Sequence, residues 1–127
     1  LTKDKKIEKV VMCSGKIYFD LLEAREKSKN NRLTIVRIEQ LYPFPAKTLA
    51  KILKRYENAE FIWCQEEPKN MGAWFSVRDY IQWTLDNIKA KNNKISYIGR
   101  SPDASPATGY AKRHVSQQQE IIKKVFE

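Results

Sequence analysis

Two glutamates, Glu66 and Glu67, stand side by side in the stretch WCQEEPKNMGAW, residues 63–74. Paired carboxylates can run general acid and base steps when both reach one reacting atom. Adjacent residues of an extended chain, however, point to opposite sides, so this dipeptide cannot form a two-carboxylate site without a kink. At most one faces a ligand or partner, and the other can bond backbone amides where the next helix begins. Both are therefore read as interface and turn residues, and no catalytic residue is assigned.

Three other groups of residues could bind rather than react. Ser14-Gly15-Lys16 follows an apolar run and precedes a helical pattern, where free amides and the helix dipole favour a phosphate or carboxylate. Neither a Walker loop nor a GxGxxG fingerprint is present, and Ser14 as a helix N-cap is the structural alternative. Arg37 and Glu39 flank Ile38, so both side chains emerge on one face, either as an ion pair or with Arg37 free as a fork for an anion. His114, the only histidine, has no nucleophile motif or second metal ligand around it and is read as a surface or capping residue. Cys13 and Cys64 lie inside apolar runs without metal-ligand spacing, so they read as buried reduced thiols. No metal site is expected. Buried thiols favour a reducing compartment.

These residues are positioned by an alternation of short apolar runs and segments of helical period. Strands are expected at Ile7–Ser14, Leu33–Ile38, Glu60–Gln65 and Ile95–Gly99. Helices are expected from Ile17 to about Lys29, from Pro45 through Tyr56, from Met71 to about Ile88, and from about Ser116 to Phe126. The runs VVMC, TIVRI and FIWC are nearly continuously apolar, as in strands covered on both faces. The pattern predicts an α/β fold with a mainly parallel sheet between helical layers, in one domain spanning residues 1–127. Ligands of such sheets gather beyond the carboxyl ends of the strands. That edge carries Ser14, Lys16, Glu39-Gln40-Leu41, the Gln65–Pro68 segment and Arg100-Ser101-Pro102. Ser14, Lys16, Arg37 and Arg100 are the candidates for holding an anionic effector. The loop from Arg100 to Arg113 is long enough to suggest either disorder or function.

Composition narrows the classes. The chain has 127 residues, 42% hydrophobic, and no apolar run near the roughly 20 residues that a membrane span requires. The charge of +9 raises nucleic acid as a partner, yet 17 lysines against 7 arginines are scattered along the chain. No block interleaves basic and aromatic residues as a single-strand groove would, so solvated helix faces account for the charge. The start at Leu1, without methionine, reads as a piece of something longer.

The ordered segments VMCSGKIYFDLLEAR, IVRIEQLYPFP, FIWCQEEPKNMGAW and YIGRSPDASPATGYAKRHVSQQQEII resemble the C-terminal domain of the thiamine-dependent, decarboxylating first component of 2-oxoglutarate dehydrogenase. The likeness runs from about Val10 to Val125. A weaker one extends to transketolase C-terminal domains, which implies a three-layer α/β/α domain whose mainly parallel, five-stranded sheet has one antiparallel edge strand. Four strands are readable here, so the fifth is expected upstream or within LTKDKKIE. The resemblance implies oxidative decarboxylation of 2-oxoglutarate in the tricarboxylic acid cycle and succinyl transfer to lipoyl, by a larger multidomain enzyme. It implies thiamine diphosphate and Mg bound outside this chain, since the usual GDG motif is missing, so the piece alone should be inactive. It further implies a homodimer, a lipoyl-bearing succinyltransferase and dihydrolipoyl dehydrogenase as partners, an acetyl-CoA or adenine nucleotide effector, and a cytoplasmic or mitochondrial matrix location. The alternative is a stand-alone module binding an anionic ligand such as acetyl-CoA or a nucleotide.

Overall fold

A computed structural model describes residues 4–39, 41, 43–100 and 111–127, with the side chains of the last stretch from Val115 onward. After a single 3-10 turn at Asp4–Lys6, strands β1 (Lys9–Cys13), β2 (Leu33–Arg37), β3 (Glu60–Pro68) and β4 (Ile95–Arg100) alternate with helices α1 (Ile17–Ser28), α2 (Ala46–Leu53), α3 (Trp74–Asn87) and α4 (Ala111–Phe126). The four strands form one parallel sheet in the order β2-β1-β3-β4.

The order explains the layers. The chain moves from β1 to β2 in one direction, then crosses back over β1 to β3 and continues to β4. Because parallel crossovers are right-handed, reversing direction moves the connecting helix to the opposite face. Accordingly, Val11, Cys13, Ile62 and Cys64 pack under Ile17 and Leu21 of α1 and Ile121 and Val125 of α4. Val10, Met12, Phe61 and Trp63 pack under Leu49 and Leu53 of α2 and Val77, Ile81 and Leu85 of α3. The expected three-layer α/β/α arrangement is what is found. Lys9 fastens α4 to the sheet, its Nζ donating to the carbonyls of Val125 at 3.1 Å and Glu127 at 2.9 Å, where a helix C-terminus favours a cation.

Several boundaries differ from the sequence expectation. Strand β3 runs three residues beyond Gln65, because a register shift lets Cys64 pair with Ile98 and Pro68 with Arg100. Pro68 is tolerated at this bulged end, where no ladder amide is required of it. Helix α3 starts at Trp74 rather than Met71, since Met71–Ala73 form the turn that brings the chain off β3. Helix α4 begins at Ala111, five residues before Ser116. Ser14 is not an N-cap: Lys16 holds that position of α1, and no side chain bonds there. The described sheet has no antiparallel edge strand, and Asp4–Lys6 of LTKDKKIE is a 3-10 turn. Residues 101–110, Gln40 and the side chain of His114 lie outside the described part.

Candidate functional site

The reversal of strand order between β1 and β3 leaves a crevice at their carboxyl ends, the place where open α/β sheets receive ligands. A cleft of about 610 Å³ opens there on the α3 side. Ser14 and Gly15 line it from the end of β1, Trp63, Gln65 and Glu67 from β3, and Gly72, Ser76 and Tyr80 from the start of α3. The period of two along β3 puts Trp63, Gln65 and Glu67 on one face, so this wall was readable in the sequence.

Gln65 holds the wall together. Its side chain is buried, and its Oε1 accepts from Trp63 Nε1 at 2.9 Å and from the Trp74 amide at 3.0 Å. Its Nε2 donates to the carbonyls of Pro68 and Met71, both at 2.9 Å, and of Glu67 at 3.2 Å. One amide thus ties the strand's end to the first amide of α3, a free donor in any helix. Sequence reasoning gave that part to a glutamate; Gln65 plays it because a side-chain amide, unlike a carboxylate, can accept from N–H groups and donate to carbonyls at once.

The two glutamates do diverge. Glu66 turns to the α1 and α4 side, where Lys16 Nζ lies 3.8 Å from Oε1 and Gln118 Nε2 donates to Oε2 at 3.4 Å. Gln118 also donates to Asp20 at 3.1 Å, so one side chain bridges α1, β3 and α4. Glu67 turns into the cleft. Burial, then the charge of Glu66, pushes its carboxyl above the ordinary range, against the opposing pull of its own backbone amide, Arg100 and Lys16. Its side chain presses on Gly72, whose φ is +66°; a Cβ there would stand 2.4 Å from Glu67 Oε2. Glycine is required twice over, for the left-handed backbone and for the contact.

The described contacts place the four residues proposed for an anion as follows. Ser14 is in the wall of the cleft. Lys16 leans toward Glu66 on the other face. Arg37 pairs with Glu39 at 3.3 Å and lies over the rings of Tyr18 at 5.5 Å and Phe19 at 5.2 Å, which anchors it to α1. Arg100 ends β4 opposite Pro68, and its carbonyl accepts from Tyr97 Oη at 2.8 Å. Lys16 and Arg100 still act on the cleft through their charge at Glu67.

Neither thiol is available for nucleophilic work. Cys13 and Cys64 are free and buried, and burial pushes Cys13 up to about 12 and Cys64 above its ordinary value as well. Among the described residues, no group of three or more His, Cys, Asp or Glu is placed to hold a metal ion. No described helix is long and apolar enough to cross a membrane.

Comparison with known proteins adds an independent line. Residues 1–126 match the family model described as 2-oxoglutarate dehydrogenase C-terminal. The chain is 53% identical over 117 residues to proteins named 2-oxoglutarate dehydrogenase E1 component from Brucella anthropi, Brucella ovis and Brucella melitensis. The alignments cover 92% of this chain and 12% of each relative's length.

Proposed function

Because the chain belongs to the 2-oxoglutarate dehydrogenase C-terminal family, we propose that it is the C-terminal domain of a thiamine diphosphate-dependent E1 component. That enzyme oxidatively decarboxylates 2-oxoglutarate and passes the succinyl group to a lipoyl arm. The observation that carries the reading is the match over residues 1–126, with 53% identity across 92% of the chain. We place thiamine diphosphate and Mg in other parts of the enzyme. The partners are a second copy of the enzyme, the lipoyl-bearing succinyltransferase and dihydrolipoyl dehydrogenase, and the bacterial relatives favour the cytoplasm.

Within that enzyme we assign this chain a scaffold role and an effector role at the carboxyl edge. The scaffold role is supported by Glu66, held by Lys16 and Gln118 where three elements meet. The effector role is supported by the cleft at the β1/β3 crossover, with Ser14 in its wall. The alternative, a free-standing module for an anionic ligand, has the same cleft in its favour, and under either reading an anion there must be accommodated beside the Glu67 carboxylate.

The test is Glu66→Gln in the full-length enzyme. The expected result is that the dimer dissociates at several-fold higher protein concentration, by analytical ultracentrifugation, while activity per assembled dimer is unchanged. An equal loss of activity at full assembly would refute the scaffold role. Absence of any thiamine-dependent turnover of 2-oxoglutarate by the parent enzyme would sink the whole assignment.

A further inference from the structure

Helix α3 buries Trp74, Val77, Ile81 and Leu85 and leaves an aromatic face outside. Phe75, Asp79 and Trp83 recur at i, i+4 and i+8 and so form one stripe, with Tyr80 beside it. Phe75 is 48% exposed, Tyr80 50% and Trp83 57%. The face is braced rather than loose: Tyr80 stacks on Phe44 with ring centroids 5.2 Å apart, and the Arg78 guanidinium lies 4.7 Å from the Phe75 ring. In the middle of the stripe the Asp79 side chain is 91% exposed, its nearest cation being Arg78 Nε at 3.9 Å.

The size of this patch selects its occupant. A large aromatic side chain buries roughly 150–250 Å², so three that are about half exposed offer ~225–375 Å² of further burial. A stable dimer of free proteins needs about 800 Å² per partner. Contacts between domains of one chain bury about 600–1,500 Å² in total, or about 300–750 Å² on each side. Tethering supplies an effective concentration of about a millimolar, so the smaller patch suffices within one polypeptide. The relatives provide such a tether, since this chain corresponds to 12% of their length.

We propose that the Phe75–Asp79–Trp83 stripe of α3 docks on another part of the same E1 polypeptide, in an apolar pocket flanked by a cationic side chain that meets Asp79. The inference rests on the reading of this chain as one domain of that longer enzyme. Because Tyr80 and Ser76 also line the β1/β3 cleft, the docked surface would border its mouth.

Hydroxyl-radical footprinting of the full-length enzyme, read by mass spectrometry, tests the proposal. Phe75, Tyr80 and Trp83 are expected to be oxidised at least tenfold more slowly than free-amino-acid reactivities predict, at every protein concentration. Asp79→Lys should raise the Trp83 rate several-fold while leaving the far-ultraviolet circular dichroism unchanged. Oxidation of all three at the rate of solvent-exposed side chains would overturn the proposal. Protection that disappears on dilution would also overturn it, in favour of a second copy as occupant. Turnover of 2-oxoglutarate measured on the same preparation reports separately on the proposed function: protection without turnover leaves the docking and removes the assignment, and turnover without protection does the reverse.

Discussion

Replacing Gln65 by leucine should test the central joint of this fold. The two side chains are of similar volume, so the change removes polar partners without opening a large cavity. Three well-placed groups lose theirs, Trp63 Nε1, the Trp74 amide and the Met71 carbonyl, whereas the Pro68 carbonyl keeps the Met71 amide at 2.8 Å. A buried polar group left unpaired costs about 1–3 kcal/mol. Water entering from the adjoining cleft can satisfy some of the three, which brings the sum to about 3–5 kcal/mol. That is a large share of the roughly 5–15 kcal/mol of a whole domain. For a chain of this size it corresponds to about 12–20 °C in Tm, at about 4 °C per kcal/mol. Urea unfolding followed by tryptophan fluorescence should show the midpoint falling with an unchanged slope. Gln65→Glu supplies the control of sign. Its carboxylate would face the carbonyls of Glu67, Pro68 and Met71, so its folded-state pKa is raised above the unfolded value. The deficit should therefore be largest at pH 7 and shrink as pH falls toward about 4, where the group is neutral in both states. A loss below about 1 kcal/mol for Gln65→Leu, or a deficit for Gln65→Glu that does not change with pH, would refute the reasoning.

Two further changes address the cleft. Gly72→Ala should cost about 1–2 kcal/mol for the left-handed backbone, plus the displacement of Glu67, read as a Tm lowered by about 4–8 °C. Adding Glu67→Ala should recover only the second part; full recovery would mean that the backbone at Gly72 is not strained by a side chain. Glu67→Gln should slightly raise stability at pH 7. The carboxyl is raised in the folded state, so its favourable contribution is complete below the ordinary carboxylate value and is lost as pH rises through the folded one. Being half in solvent, it should give a small gain, and a pH titration of Tm with an unchanged slope just above the ordinary carboxylate range would contradict it.

The layers were legible in the sequence because fully covered strands are apolar at every position, and VVMC and FIWC leave no other reading. The divergence of Glu66 and Glu67 was legible too, since strand periodicity requires it. What escaped was the length of β3. Glu-Glu-Pro has the composition of a turn, and only the pairing of Pro68 with Arg100 across a register shift keeps it in the sheet. That pairing joins residues 32 positions apart, which no local pattern reports. Gln65 escaped for a related reason: an uncharged polar residue at a strand end carries no signal of whether it meets water or five protein groups. Ser14, Lys16, Arg37 and Arg100 were grouped in the sequence by their place at the strands' carboxyl ends. The sheet itself divides that edge, with Ser14 and the cleft on the α3 side and Lys16 and Arg37 toward α1.

The cleft follows from topology before any ligand is considered, because reversing the strand order separates α1 from α3 on opposite faces and leaves the space between β1 and β3 uncovered. In a fold that binds phosphates there, helix N-termini present free amides to the anion. Here the first amide of α3 already has an acceptor in Gln65, and the Glu67 carboxylate lies against Gly72 at the same helix start. The chain's own side chains thus supply the acceptor and the negative charge that a ligand would otherwise bring. An anion arriving in this cleft would have to displace Glu67, whose carboxyl burial holds above the ordinary range. The same contacts fix the angle between β3 and α3, and with it the orientation of Phe75, Tyr80 and Trp83 at the surface. With this set of residues the edge works as a joint that sets the attitude of an aromatic helix face.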